Sequence, residues 1–257
     1  MAKVMTKPLP VRELVSDEEW QVRVDLAAAY RLVHHYGWTD MIFTHLSARV
    51  PGPEHHFLIN PYGMMFDEVT ASDLVKIDLD GNIVMDSEWN VNPAGFCIHS
   101  AIHMAREDAK AVMHLHTDDG VAVSSMAEGL LPLTQTALVI HDQVAYHEFE
   151  GVALDLDERR RLVKDIGDKK LLLLRNHGTL ATGETVADCF LKLYTFERAC
   201  TMQVRAMASA RLHQPSEQAV ETARQQGEVL LKAGELDGLA WPALLRMLDR
   251  KYPGFRD

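Results

Sequence analysis

Cysteine is scarce in this chain: its 257 residues hold three, Cys97, Cys189 and Cys200. An odd number without C-x-x-C spacing gives neither a disulfide framework nor a thiolate zinc site, and reads as buried reduced thiols. Positive charge is also short. Lys and Arg number 26 against 37 Asp and Glu, a net charge of −11, which works against attraction to nucleic acid or to an anionic membrane surface. No segment approaches the roughly 18 consecutive apolar residues of a membrane span, and the opening Met1-Ala2-Lys3-Val4-Met5-Thr6-Lys7-Pro8 has no apolar leader region. Low-complexity tracts and internal repeats are absent as well. The expectations are a cytoplasmic location and a small-molecule or protein partner, with no nucleic acid and no membrane.

What is present is ample apolar material, 47% of the residues, enough to bury a sizeable core in one domain spanning residues 1–257. Ser16-x-x-Glu19 is a capping-box pattern, followed by Val22, Leu26, Ala29, Tyr30 and Val33 at helical spacing and by a stop at Gly37. From 41 to 85 short segments are divided by Pro51-Gly52-Pro53, Asn60-Pro61-Tyr62-Gly63 and Asp80-Gly81-Asn82. The last turn predicts a hairpin pairing Val75, Ile77 and Leu79 with Ile83 and Met85. Helices are predicted over 96–106, 157–166, 215–232 and 241–251, and strands over 111–116 and 171–174. Thr185-x-x-Asp188 opens a long helix whose stripe of Cys189, Leu193, Phe196, Cys200, Val204 and Met207 reads as core. The fold class is α/β: a central, mostly antiparallel sheet flanked by helices.

Among 13 histidines, His114 and His116 lie two apart in a segment with strand character. Alternation points both rings to one face, with Cα atoms about 6–7 Å apart, so two imidazole nitrogens can converge on one ion at roughly 2.0–2.1 Å. His177 follows the second apolar strand and precedes Gly178, a position suited to close backbone approach. On spacing alone these residues read either as metal ligands or as core histidines satisfied by hydrogen bonds.

A resemblance bears on that choice. Thr44-His45-Leu46-Ser47, Asn60-Pro61-Tyr62-Gly63, Val69-Thr70-Ala71-Ser72-Asp73-Leu74, Asn92-Pro93-Ala94-Gly95-Phe96, His99-x-x-x-His103, the H-x-H segment with Thr117, Val144-Ala145-Tyr146-His147 and Arg175-Asn176-His177-Gly178 occur in the order found in the class II aldolase and adducin family. The chain resembles that family over residues 20–211. The resemblance implies a three-layer α/β/α fold and one divalent metal per subunit, zinc first, with manganese, cobalt or iron as alternatives. It assigns the ion to His114, His116 and His177, and implies a homotetramer whose sites lie between subunits. In the family's aldolases the ion stabilises an enediolate during retro-aldol cleavage; as a Lewis acid it lowers the cost of the developing negative charge.

The chain departs from the sugar-phosphate aldolases in ways that shift the expected substrate. Their general-base glutamate corresponds to Gly95, which can take no proton. Their phosphate-binding pairs correspond to Thr44-His45, Tyr62-Gly63 and Pro93-Ala94, so a phosphorylated substrate is disfavoured. These departures bring the chain closer to the adducin-type head. Replacement proton carriers are sought among Tyr146, His99, His103, Asp118, Asp119 and His141, with Tyr146 and His99 foremost. Against this, His99 and His103 also read as core groups, and Asp118-Asp119 as the first turn of a helix, where a carboxylate suits the dipole. The substrate-binding residues implied by analogy are Thr44, His45, Asn60, Tyr62, Gly63 and Asn92.

The function expected is a metal-dependent lyase, by aldol cleavage or decarboxylation, acting on a small non-phosphorylated hydroxy or oxo acid or carbonyl compound. The alternative is a noncatalytic, adducin-head-like assembly module. Adducins continue into a long basic tail, and the acidic chain ending at Asp257 suggests a stand-alone metabolic protein instead. A three-histidine iron oxygenase is a further chemical option, since imidazole suits iron as well as zinc.

Overall fold

A computed structural model describes residues 9–151, 158–209 and 211–257. The chain begins with a short helix, α1 (Val11–Leu14), then α2 (Asp17–His35), three strands β1 (His45–Arg49), β2 (Phe57–Ile59) and β3 (Val75–Ile77), and α3 (Pro93–Ala105). There follow β4 (Ala111–Leu115), α4 (Asp118–Ser124), α5 (Gln135–Ile140), β5 (Val144–His147) and α6 (Glu158–Ile166). The last elements are β6 (Leu171–Leu174), β7 (Gly178–Gly183), α7 (Val186–Met207), α8 (Glu217–Leu230) and α9 (Leu236–Lys251).

Local chemistry accounts for the boundaries. The Ser16 hydroxyl accepts the Glu19 N–H at 3.1 Å and starts α2. The reciprocal half of the capping box does not form, because the Glu19 carboxylate turns inward to Arg23 Nε at 3.0 Å and Lys76 Nζ at 2.7 Å. Gly37, at φ +72°, ends the helix by donating to the His34 carbonyl. Thr185 caps α7 through the Asp188 N–H. Near the C-terminus α9 begins at Leu236, five residues before the expected start, and carries Pro242 in its second turn, where the ring removes the i→i−4 bond to the Gly238 carbonyl. The expected helix start at residue 157 lies outside the described residues. Cys189 and Cys200 are buried and free, while the side chain of Cys97 lies outside the description.

Seven strands form one sheet in the order β3-β2-β1-β4-β7-β6-β5. Among the described residues every neighbouring pair is antiparallel except β5 and β6, which run parallel. The hairpin expected around Asp80 shrinks to a single bridge between Ile77 and Ile83. Ile83 and Val84 are exposed and have no apolar face to bury, and Asp78 closes the turn by accepting from the N–H groups of Asp80 and Asn82. The ladder partner of β3 is β2.

Alternation along the strands divides the core into two layers. Met113, Leu115, Leu171, Leu173 and Ala181 pack with residues of α2, α7 and α9. Val112, Leu172, Leu174 and Leu180 pack with Ile98 and Ile102 of α3 and Leu162 and Ile166 of α6. The sheet is thus sandwiched between helices on both faces, and His114, in phase with Val112, faces α3.

Candidate metal centre

Two segments bring the expected histidines together. His114 lies in β4, His116 lies just beyond its end, and His177 sits in the short turn joining β6 to β7. That turn is fixed by its backbone: the N–H groups of Arg175, Asn176 and His177 donate to the carbonyls of His147, Ser124 and Leu174. Asn176 takes the left-handed conformation, φ +55°, which asparagine tolerates better than most residues. Gly178 lets β7 approach β4, because a Cβ there would lie 2.3 Å from the Leu115 carbonyl oxygen.

The ring nitrogens of His114, His116 and His177 lie within 4.8 Å of one another, and Nε2 of His114 is 2.9 Å from Nε2 of His116. The other nitrogen of each of these two rings is committed. Nδ1 of His114 donates to the Thr179 carbonyl at 2.8 Å, and Nδ1 of His116 donates to the Asp40 carboxylate at 3.0 Å. The two Nε2 atoms are therefore turned towards each other, free of the partners behind the rings. Burial, reinforced by His177 and His116, holds His114 well below the usual imidazole pKa, and burial with His116 holds His177 down to about 4. Burial thus weighs against charging His114 and His177 with protons, and a metal ion is a bridge that the three nitrogens can share. An ion bonded at about 2.0–2.1 Å draws its nitrogens to about 2.9–3.4 Å apart, so the 2.9 Å pair fits as it stands, with His177 within 4.8 Å. Asp40 stands where a carboxylate would steady His116 from behind as a metal ligand. A turn with the Phe43 N–H on the Asp40 carbonyl places it there.

The threonines flanking these segments share one carboxyl group. Thr117 donates to Glu197 Oε2 at 2.5 Å, and Thr179 donates to Glu197 Oε1. Glu197 is fully enclosed in α7, and burial lifts its pKa to about 7.

The remaining expected residues divide. His45 pairs with His114 across β1 and β4, with ring centroids 5.8 Å apart. A Cβ on Gly95 would lie 1.6 Å from His45 Cδ2, so the imidazole of His45 fills the space a side chain at position 95 would need. Thr44, next to it, is held at φ +67° with its hydroxyl buried and unpaired. His99 and His103 both bond to Ser47 Oγ, at 2.6 and 2.7 Å. Asn60 accepts from the Tyr30 hydroxyl at 3.0 Å. Tyr62 and Gly63 lie in an exposed turn, and Asn92 is half-buried just before α3. Tyr146 points to the opposite face of the sheet from His114, under the Arg175 guanidinium at 4.5 Å. Asp118 and Asp119 occupy the first turn of α4, and His141 lies next to Asp142 at the surface.

Two neighbours of the site, Asp40 and Glu197, carried no signal in the sequence, and a third, His147, stood there only within the Val144-Ala145-Tyr146-His147 motif. Asp40 and Glu197 meet the site only through tertiary contacts, 76 and 80 residues from His116 and Thr117. His147 stands on the triad's face of the sheet, with Nδ1 on Asp165 at 2.7 Å, in a pocket that it shares with His177, Phe149 and Arg175. Its Nε2 lies 3.5 Å from Glu158 without hydrogen-bond geometry.

Comparison with known proteins agrees with this architecture. Residues 24–204 match the family described as Class II Aldolase and Adducin N-terminal domain. An aldolase II superfamily protein from Pseudomonas syringae superposes with a TM-score of 0.92 at 49% identity, covering 97% of this chain and 100% of that one. L-fuculose 1-phosphate aldolase from Glaciozyma antarctica PI12 superposes with a TM-score of 0.79 at 27% identity, covering 97% and 96% of the two chains. Alpha-adducin of Mus musculus is 46% identical over 192 residues, which are 74% of this chain and 26% of the adducin.

Proposed function

The chain belongs to the class II aldolase and adducin N-terminal domain family, and from that premise we propose that it is a divalent-metal-dependent carbon–carbon lyase. Its substrate in this reading is a small non-phosphorylated hydroxy or oxo acid or carbonyl compound, cleaved by an aldol or decarboxylation step. The observation that carries the reading is the convergence of the Nε2 atoms of His114 and His116, 2.9 Å apart, with a ring nitrogen of His177 within 4.8 Å of them. An ion held by these three imidazoles, zinc first and manganese, cobalt or iron next, supplies Lewis-acid polarisation of a carbonyl.

The chain's own groups do the rest. Asp40 and the Thr179 carbonyl fix the tautomers of His116 and His114. His45, buried beside His114 with its pKa pushed down to about 3 by burial and by His116 and His177, leaves the inner wall uncharged where the family's aldolases carry a carboxylate. Of the two foremost proton carriers, His99 lies on the triad's side of the sheet, whereas Tyr146 lies on the other face of the same chain. The proposal extends to one domain, a homotetramer and the cytoplasm; no helix among the described residues is long and apolar enough to cross a membrane.

Reconstitution with zinc, manganese or cobalt, followed by assay across hydroxy and oxo acids, tests the reading. Turnover that falls by about a hundredfold or more in His116→Ala supports it. Metal-loaded protein without turnover on any such acid defeats the lyase assignment. The 46% identity to alpha-adducin, together with Gly95, favours one other reading, a noncatalytic assembly module. Its signature is stable partner capture that is indifferent to His114→Ala.

A further inference from the structure

Beside the triad, four buried polar atoms have no hydrogen-bond partner among the described residues: Thr44 Oγ1, both ring nitrogens of His45, and His99 Nε2. The His45 ring lies 4.9 Å from that of His99 and 5.8 Å from that of His114, centroid to centroid. Each buried unpaired group costs about 1–3 kcal/mol, so four on three neighbouring side chains point to a guest that pairs three of them.

The polarity such a guest must have follows from the groups behind His99. The Ala109 carbonyl can only accept, so Nδ1 of His103, 2.7 Å away, carries the hydrogen. His103 Nε2 is then bare, and it takes the Ser47 hydroxyl hydrogen at 2.7 Å. Having donated, Ser47 Oγ accepts from His99 Nδ1 at 2.6 Å. His99 Nε2 is left as a lone pair. Doubly protonated rings would break this chain of reasoning, but burial keeps His99 and His103 neutral, the latter at about 3. A lone pair repels a phosphate or carboxylate oxygen and attracts a hydroxyl hydrogen. The Thr44 hydroxyl and the single N–H of neutral His45 can donate to the oxygen of the same group. Gly95 leaves His45 its place, since any side chain there would displace the ring.

We infer that Thr44, His45 and His99 form a subsite for an uncharged hydroxyl group of the substrate, adjacent to the oxygens that face the histidine triad, and that Ser47 sets its polarity. This rests on the metal-dependent reading and adds a substrate class, a polyhydroxy acid bearing a free hydroxyl next to its chelating end.

Lactate and glycerate share an α-hydroxy carboxylate, and glycerate alone has a hydroxyl on the next carbon. Cobalt(II)-loaded protein is titrated with each and followed by its visible absorption. Glycerate is expected to bind roughly tenfold more tightly than lactate, and phosphoglycerate no more tightly than lactate. In His99→Leu and in Ser47→Ala the glycerate preference falls to about twofold or less, with lactate as the internal control. Nitrogen NMR of histidine-labelled protein, needing no metal, is expected to show His99 and His103 as Nδ1–H tautomers. Equal binding of the two acids, a preference that survives His99→Leu, or an Nε2–H tautomer at His99 overturns the subsite, and a buried water pairing these atoms would give the first of these results. Those outcomes leave the metal reading standing. A chain that takes up no cobalt removes that reading and the subsite with it.

Discussion

Position 95 shows how one missing side chain is made good by another. In the sequence Gly95 reads as the loss of a carboxylate. In the fold it is the condition for a buried imidazole, because a Cβ would meet the His45 ring at 1.6 Å. Gly95→Ala is therefore expected to destabilise the protein by about 1–3 kcal/mol through overpacking, read as a lower urea midpoint. His45→Ala in the same chain should recover most of the loss, since it removes the obstructing ring. The H-x-H spacing and the turn before Gly178 singled out the three histidines, and the family resemblance grouped them at one ion. Their tautomers were not legible, because Asp40 and the Thr179 carbonyl reach them only through the folded chain. The same holds for Ser47, which stood in the Thr44-His45-Leu46-Ser47 motif without a role and meets His99 and His103 only in the fold.

At the scale of elements, one carboxyl group ties the two ligand-bearing segments together. Glu197, from the middle of α7, takes hydroxyl bonds from Thr117, next to His116, and from Thr179, two residues beyond His177. On the proposed reading, Glu197→Ala should weaken cobalt affinity about 10–100-fold, measured by competition with a chelator. Glu197→Gln, which keeps the volume and an acceptor, should fall between this variant and the wild type. Equal affinity in all three would reduce Glu197 to a packing residue. The long helix itself was plain in the sequence, from its Thr185 cap and its apolar stripe, and the apolar strands β4 and β6 were equally plain. Less visible was β7, whose Gly178-Thr179-Leu180-Ala181-Thr182-Gly183 has little strand propensity and is held by pairing on both sides. The expected hairpin beyond β3 failed for the opposite reason: it alternated correctly but had nothing to bury.

Over the whole molecule, a cluster of neutral histidines lies inside an acidic protein. Burial holds His45 and His103 to about 3 and His177 to about 4, with His99 and His114 also well below the usual value. The unfolded chain titrates them near 6.5, so it binds more protons than the native state below that pH. The stability they provide is full above about 6.5 and is lost as pH falls, by up to about 1.4 kcal/mol per pH unit for each fully buried ring. Glu197, lifted to about 7 by burial, acts in the opposite sense, its contribution fading as pH rises from about 4.5 to about 7. The histidines outnumber it. The thermal midpoint of the metal-free protein should therefore be highest near neutrality and fall steeply below about pH 6; a flat profile down to pH 5 would mean that these rings are solvated or paired otherwise. The account depends most on an ion at the centre of this cluster. X-ray absorption of the protein loaded with one equivalent of zinc addresses it directly. The prediction is three imidazole nitrogens at about 2.0–2.1 Å with their outer-ring scattering, reduced by one in His177→Ala. A zinc shell without imidazole scattering, or one unchanged by that substitution, would contradict it.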